Sequence, residues 1–331
     1  MKAAYIESTG GPEVIRYGDL PDPEPGPRDV LIRVEAVSVN PIDTYVRGGL
    51  VAFDLPQPYI LGCDAAGAVQ AVGDEVTRYA VGDAVWCTNQ GLRGRQGTFA
   101  ERIAVAEDWV YPRPDGVSAE AIAASALVGI TAHLGLFREA HLRPGETVLV
   151  IGGTGGVGSM VVQMAKAVGA VVLATAGTAE KTKIAEDLGA DITIGYYCES
   201  IAEATHRVCP DGVHVFWETR RRPDFDLAVQ CLAERGRMVL MAGRDARPEF
   251  PVGPFYVKEC SLHGFVMFKA TPDEMRVAAE ALNEWMAAGK VRPNIDVRMT
   301  LEEAAEAHRI QEAATVQGSG QLRGKIVLTP A

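Results

Sequence analysis

Along the first third of the chain, apolar and polar positions alternate with a period of two. In residues 29–37, Ile32, Val34 and Ala36 alternate with Arg33 and Glu35, the signature of a strand with one face in the core and one in water. Apolar runs at 65–72, 83–87 and 99–105 follow, separated by turn-forming segments such as 21–26 and 81–83. Short strands punctuated by Gly, Pro and Asp predict a small barrel or sandwich.

From about residue 118 the period changes. Residues 118–127 and 130–140 read as two helices. Strands at 147–151, 171–176, 192–194, 213–217, 237–242 and 262–268 then alternate with helices at 157–168, 179–188, 201–208 and 225–232. Such alternation builds right-handed βαβ units and a parallel sheet. After Pro272 a helix at 273–288 leads through mixed structure to a last strand at 325–328. The fold class is therefore α/β. A β-rich domain is expected over residues 1–119, completed by 270–331, with a doubly wound nucleotide-binding domain over 120–269.

Composition narrows the function. The chain has 331 residues, enough for about two domains with their own cores. A formal net charge of −11 argues against a general affinity for nucleic acid or anionic lipid. Uninterrupted apolar runs fall well short of the roughly 20 residues that cross a bilayer. The N-terminal Met1-Lys2-Ala3-Ala4-Tyr5-Ile6-Glu7 lacks the apolar stretch of a secretory leader, so a soluble, cytoplasmic chain is expected. The six cysteines are scattered without a CxxC pair, which reads as reduced thiols rather than a disulfide framework.

The most informative segment is Val148-Leu149-Val150-Ile151-Gly152-Gly153-Thr154-Gly155-Gly156-Val157-Gly158. Gly153, Gly155 and Gly158 satisfy GxGxxG, a weak motif by itself. Here a β-branched run precedes it and an amphipathic helix follows, with Val157, Met160, Val161, Met164, Ala165 and Val168 on one face. In that context the glycines permit a tight turn, close approach of a pyrophosphate, and helix–strand packing, while the helix N-terminus offers unpaired N–H groups to the anion. No Lys-Ser/Thr follows the last glycine, which excludes a Walker A loop. NAD-binding units usually end the second strand with a carboxylate for the ribose 2′-hydroxyl. This one ends Ala174-Thr175-Ala176-Gly177-Thr178, with Lys181 just beyond, which favours NADP(H); the plain alternative for Lys181 is a solvated lysine on a first helical turn.

The order of a β-rich domain, a nucleotide domain opened by GGVG, and a short return is similar to medium-chain dehydrogenases/reductases. Within them the chain most resembles the zinc-free quinone oxidoreductases of the zeta-crystallin type. The marks are Asn40-Pro41-Ile42-Asp43-Thr44-Tyr45-Val46-Arg47, Gly62-Cys63-Asp64-Ala65-Ala66-Gly67, residues 152–158, Thr175-Ala176-Gly177-Thr178, Gly236-Arg237-Met238-Val239 and Ala307-His308. The resemblance implies a GroES-like first domain, a Rossmann second domain, and zinc-independent reduction of quinones by NADPH. It also implies a homodimer or homotetramer joined near 262–268.

Zinc-dependent members of that superfamily ligate catalytic zinc with Cys, His and Cys. At those places this chain has Asn40, then Gly62-Cys63-Asp64, then Ala126-Leu127-Val128-Gly129-Ile130-Thr131 without a thiol. No metal site is expected, because a catalytic zinc needs three protein ligands. Cys63 reads as a small wall residue and the six histidines as ordinary. Without a Lewis acid to stabilise an alkoxide, the substrate must already be electrophilic, as quinones and conjugated carbonyls are.

By resemblance, Thr154, Gly155, Gly156 and Val157 cradle the pyrophosphate, and Gly177, Lys181 and Tyr196 surround the 2′-phosphate. Met241, Ala242, Gly243 and Arg244 form a loop after the fifth strand, Phe265, Val266 and Met267 offer backbone groups to the carboxamide, and Thr131 joins the cofactor set. Asn40, Asp43, Tyr45 and Asp64 are the substrate-pocket candidates, Tyr45 also lying beside the nicotinamide. No convincing proton donor stands out, and a phenol such as Tyr45 is a poor acid near neutral pH. Arg220-Arg221-Arg222-Pro223 departs from the family pattern, as either a solvated loop or an extra cationic contact to phosphate. Two other functions remain open: an enone, enal or enoyl-thioester reductase, and a crystallin-like structural or RNA-binding protein, with the charge of −11 against RNA. If Lys181 reads the 2′-phosphate, Lys181→Ala weakens NADPH at least tenfold more than NADH in a fluorescence titration. Equal losses would refute that reading.

Overall fold

The computed structural model describes residues 1–51, 55–319 and 321–330. The chain divides into two compact units, one of Met1–Leu127, Thr271–Ala287 and Arg292–Ala331, the other of Val128–Ala270 and Ala288–Val291. In chain order the elements are β1 (Lys2–Ile6), β2 (Arg16–Asp19), β3 (Asp29–Val39), α1 (Pro41–Arg47), β4 (Tyr59–Ile60), β5 (Asp64–Val72), β6 (Ala84–Cys87), β7 (Arg102–Ala106), β8 (Val110–Pro112) and α2 (Ala119–His133). Then come β9 (Thr147–Val150), α3 (Gly156–Ala167), β10 (Val171–Ala176), α4 (Ala179–Asp187), β11 (Ile192–Gly195), α5 (Ile201–Val208), β12 (Val213–Glu218), α6 (Phe225–Cys231), β13 (Leu232–Leu240), α7 (Val252–Val257) and β14 (Ser261–Gly264). The return comprises α8 (Pro272–Ala287), β15 (Ile295–Thr300), α9 (Ala304–Thr315) and β16 (Lys325–Thr329).

In the first unit a seven-stranded sheet runs β15-β16-β3-β5-β6-β8, with β7 also paired to β3, and a small sheet runs β2-β1-β4. The long strand β3 bends through two register shifts against β5, the usual device for curving a sheet toward a barrel. β16 pairs antiparallel with β3, setting Ile326 opposite Val39. The chain's last strand therefore lies beside the end of β3, where Asn40 follows.

The second unit is a six-stranded parallel sheet in the order β11-β10-β9-β12-β13-β14. Leu149, Leu173, Ile194, Phe216 and Met238 pack together on its sealed interior. The order reverses direction between β9 and β12. In doubly wound sheets that is where ligands bind, at the carboxyl ends of the strands.

Several expectations need correction. Residues 119–139 form one continuous helical segment, α2 followed by a wider turn at Leu134–Glu139, because a helix apolar all round is buried and tolerates Gly129 within it. This segment, Ala119–Glu139, has 21 residues and a mean hydropathy of 1.5, long and apolar enough to cross a bilayer, but 78% of it is buried inside the fold. The last parallel strand stops at Gly264, since its neighbour β13 stops at Leu240 opposite it, and a short turn at Met267–Lys269 follows. β13 begins earlier than the periodicity suggests, at Leu232, with a register shift against β12 absorbing the intervening residues. The mixed stretch after α8 resolves into β15 and α9.

The turn from β9 to α3 depends on its glycines. Gly152 holds φ +78°, and a Cβ on Gly158 would lie 2.1 Å from the Gly152 carbonyl oxygen. Helix and loop cannot separate without unseating the strand. Gly158→Ala is expected to lower stability by about 1–3 kcal/mol, read as a lower denaturant midpoint at unchanged slope.

Candidate functional site

In the second unit, the loop between β9 and α3 is pinned to the end of β10. The Gly152 N–H donates to Thr175 Oγ1 at 2.9 Å and the Gly153 N–H to the Thr175 carbonyl at 3.2 Å. Gly155 is the N-cap of α3 and brings no side chain to the helix's first N–H groups. Those groups, with the positive end of the helix dipole, suit an anion. Gly155 is exposed and Thr154 beside it is buried; Gly156 and Val157 are half-buried.

Parallel pairing of β10 with β11 sets Ala176 beside Gly195. The next residues out, Gly177 and Tyr196, are brought together: a Cβ on Gly177 would sit 2.3 Å from the Tyr196 hydroxyl. The Tyr196 ring packs against Tyr197 with centroids 4.6 Å apart. Lys181 lies on the first turn of α4, where Thr178 caps the helix by accepting the Lys181 N–H at 3.2 Å. After β13, Met241, Ala242 and Gly243 are half-buried and Arg244 exposed. Phe265 meets Trp217 edge-on at 6.5 Å, Val266 is exposed and Met267 buried. Thr131 is buried near the end of α2.

Arg220, at the start of the loop after β12, has its guanidinium engaged within the protein. It forms a two-pronged ion pair with Glu218, at 2.9 Å (Nε to Oε1) and 2.7 Å (Nη2 to Oε2). Glu218 is fully buried at the end of β12, and a carboxylate out of water requires such a partner.

The first unit gathers a different chemistry. Sheet register aligns Ser38 with Asp64 across β3 and β5, Cys87 with Ala65 across β5 and β6, and the start of β16 with the end of β3. Four neighbouring segments thus meet at one point. Asp64 Oδ2 accepts from Asn40 Nδ2 at 2.8 Å and Ser38 Oγ at 3.0 Å, and Asp64 Oδ1 accepts from Thr88 Oγ1 at 2.7 Å. Lys325 Nζ donates to Asn40 Oδ1 at 2.5 Å and to the Val39 carbonyl at 2.8 Å. Asn40 precedes Pro41, which favours extended structure before it and a helix start after it, and Asn40 is indeed the extended N-cap of α1. Its backbone N–H donates to Asp43 Oδ2 at 2.8 Å. Tyr45, on the same helix, is half-exposed, whereas Asp43, Thr44, Val46 and Arg47 are buried.

Burial dominates the electrostatics. It pushes Asp43 up to about 7, against the Asn40 N–H and the Cys63 thiol, which both favour the carboxylate, and with the Asp64 charge adding to the rise. Burial also raises Asp64, opposed by Lys325, and lowers Lys325, opposed by Asp64 and Asp43. The Cys63 thiol is held far above its ordinary range, by burial and by the two carboxyls. Cys63 is thus part of the sealed cluster, not the pocket-wall residue expected. Asp64 is likewise sealed, with both oxygens engaged. His308 is also fully buried, and burial with the nearby Arg47 charge lowers it to about 3. A separate cavity of about 320 Å³, lined by Met1, Gln90, Arg95 and Arg102 among others, includes none of these candidates.

Sequence reasoning missed Lys325, Ser38 and Thr88. A lysine opening an apolar strand looks like an ordinary solvated end, and only strand register carries it to Asn40.

A dinucleotide-type parallel sheet joined to a curved β unit is the build of a two-domain nicotinamide oxidoreductase. Residues 26–115 match the alcohol dehydrogenase GroES-like domain and residues 156–284 the zinc-binding dehydrogenase family. The quinone oxidoreductase of Pseudomonas aeruginosa is 36% identical, over 96% of this chain and 98% of its own. Among solved structures, an NAD-dependent alcohol dehydrogenase superposes with a TM-score of 0.90 at 30% identity, covering 100% of both chains. Escherichia coli quinone oxidoreductase complexed with NADPH superposes with a TM-score of 0.86 at 28% identity, again covering 100% of both. The chain belongs to the quinone oxidoreductase family of medium-chain dehydrogenases/reductases.

The metal in the second family's name does not fit these residues. An ammonium already bonds Asn40, and would repel a divalent ion there. Among the described residues no group of three or more His, Cys, Asp or Glu side chains is placed to hold a metal ion, whereas a catalytic zinc needs three protein ligands.

Asp43 makes stability depend on pH. An unfolded Asp titrates near 4, so between about pH 4 and 7 the folded chain keeps a proton that the unfolded chain has lost. The Asp43 contribution is fully present below pH 4, falls as pH rises toward 7, and levels off above. Thermal melts are expected to show Asp43→Asn gaining on the wild type across that window. A constant difference would contradict the assignment.

Proposed function

We propose that this protein is an NADPH-dependent quinone oxidoreductase that works without a metal. The observation that carries the reading is near-full-length similarity to proteins named quinone oxidoreductase, in a chain that keeps the glycine loop and has a lysine-centred cluster where a metal would need donors. One domain, residues 120–269 with Thr131 included, binds the cofactor. The other, residues 1–119 with 270–331, serves the substrate. When bound, NADPH supplies hydride, and the balance is quinone plus NADPH plus one proton giving hydroquinone plus NADP⁺.

The chain's part is positioning and charge. Main-chain N–H groups around Thr154, Gly155, Gly156 and Val157 take the pyrophosphate. Gly177, Lys181 and Tyr196 take the 2′-phosphate, and the strand end before them carries no carboxylate to repel it. Met241–Arg244 and Phe265–Met267 hold the nicotinamide end, and Tyr45, part-exposed on α1, attends the quinone, with Asn40 and Asp43 buried behind it. Holding reactants in contact and excluding water supplies the rate for such hydride transfers. The protein is cytoplasmic and assembles as a homodimer or homotetramer through β14, an edge strand of the six-stranded sheet with Leu262 exposed.

One structural neighbour is named an NAD-dependent alcohol dehydrogenase, and conjugated enones or enals would accept hydride in the same way as quinones. Steady-state assays with 1,4-benzoquinone, 9,10-phenanthrenequinone, a short enal and a primary alcohol separate these readings. Quinone turnover with NADPH, at least tenfold above NADH and unchanged by a chelator, is expected. Faster enal or alcohol turnover, or loss of rate on chelation restored by zinc, would overturn the proposal.

A further inference from the structure

The buried cluster of the first unit contains two carboxyls, Asp43 and Asp64, and one ammonium, Lys325, all sealed from water. Asn40 stands among all three. Its Oδ1 faces the ammonium, its Nδ2 faces Asp64 and its backbone N–H faces Asp43. The opposite amide rotamer would set NH₂ against NH₃⁺ and oxygen against carboxylate, so the charges leave a single orientation. Because both side-chain atoms are engaged, Asn40 leaves the N-terminus of α1 to be held through its backbone and Asp43. Tyr45 follows two residues later on that helix.

We propose that Lys325 is a positioning residue for the reduction, its ammonium locking Asn40 and thereby the helix that carries Tyr45, and that the lock holds only while the Asp43–Asp64 pair keeps one proton. This rests on the functional reading above. With that proton present, one carboxylate balances one ammonium. Without it, a second negative charge is stranded in a dry interior, which is strongly unfavourable. A stranded anion would also oppose the negative charge that hydride delivery places on a quinone oxygen. The proton belongs to Asp43, the carboxyl farther from balance: Asp64 accepts three side-chain hydrogen bonds, while Asp43 has the Asn40 N–H and the Cys63 thiol. The other ionisable groups facing the cluster do not compete. Tyr59 on β4 and Cys87 on β6 are kept neutral by burial. Arg95 keeps its guanidinium on the Asn89 carbonyl, at 3.1 and 2.6 Å.

The test is the pH profile of kcat/KM for 1,4-benzoquinone with NADPH, between pH 5.5 and 9.5, in the wild type, Lys325→Met, Asp64→Asn and Asp43→Asn. The isosteric Asp→Asn variants guard against misfolding, and melts at pH 6 identify any variant that is unfolded. The wild type is expected to show a limb falling about tenfold per pH unit above neutrality. Removing the ammonium moves that limb up by about one unit and lowers kcat with little change in KM. Removing the Asp64 charge moves the limb down by a similar amount. Whatever rate Asp43→Asn retains has no limb there. A merely structural lysine would lower the rate and leave the limb in place, and a limb unmoved in Lys325→Met and Asp64→Asn, or surviving in Asp43→Asn, overturns the proposal. Infrared titration of the protonated-carboxyl band provides a readout independent of turnover. A band present at pH 6, lost on raising the pH and missing in Asp43→Asn supports the cluster even if the wild type reduces no quinone, a result that would sink only the functional reading; absence of the band at pH 6 overturns the cluster.

Discussion

A lysine ammonium enclosed by sheet sets the terms for the first unit. Lys325 cannot be buried alone, so strands and helix around it must deliver oxygens: the Val39 carbonyl, the Asn40 amide and, through that amide, the Asp64 carboxylate. Each comes from a different stretch of chain, and each is placed by strand pairing. β16, which lies between β15 and β3, is therefore more than a structural strand. It brings the charge that makes two nearby carboxyls tolerable.

The second unit solves the opposite electrostatic problem. A dinucleotide brings negative charge, and the loop at the end of β9, fastened to Thr175 on β10, offers main-chain N–H groups suited to an anion. Side-chain charge is used sparingly. Arg220, a cation that sequence alone would leave available, is committed to Glu218. Tyr196 lies beside Gly177, just past the end of β10, and Lys181 on the first turn of α4.

These two arrangements bear on how a chain in a family whose domain names speak of zinc and alcohol could carry out the metal-free reduction proposed above. Alcohol oxidation needs a cation at the alkoxide. Here the fixed cation is an ammonium locked behind Asn40, unable to open a coordination position. An acceptor that spreads incoming charge over its own carbonyls needs no such help.

From its sequence the chain declared its period changes, its glycine loop and the missing carboxylate after β10. All of these are local: they depend on residues a few positions apart and on backbone preferences that neighbours impose. Only tertiary structure decided where β13 starts and β14 stops, since strand ends follow from the partner's length rather than from composition. It alone turned two apparent helices into one buried segment. It alone brought Lys325 to Asn40, because register between distant strands leaves no periodic trace, and burial there moved a carboxyl's proton affinity by an amount that no single residue encodes.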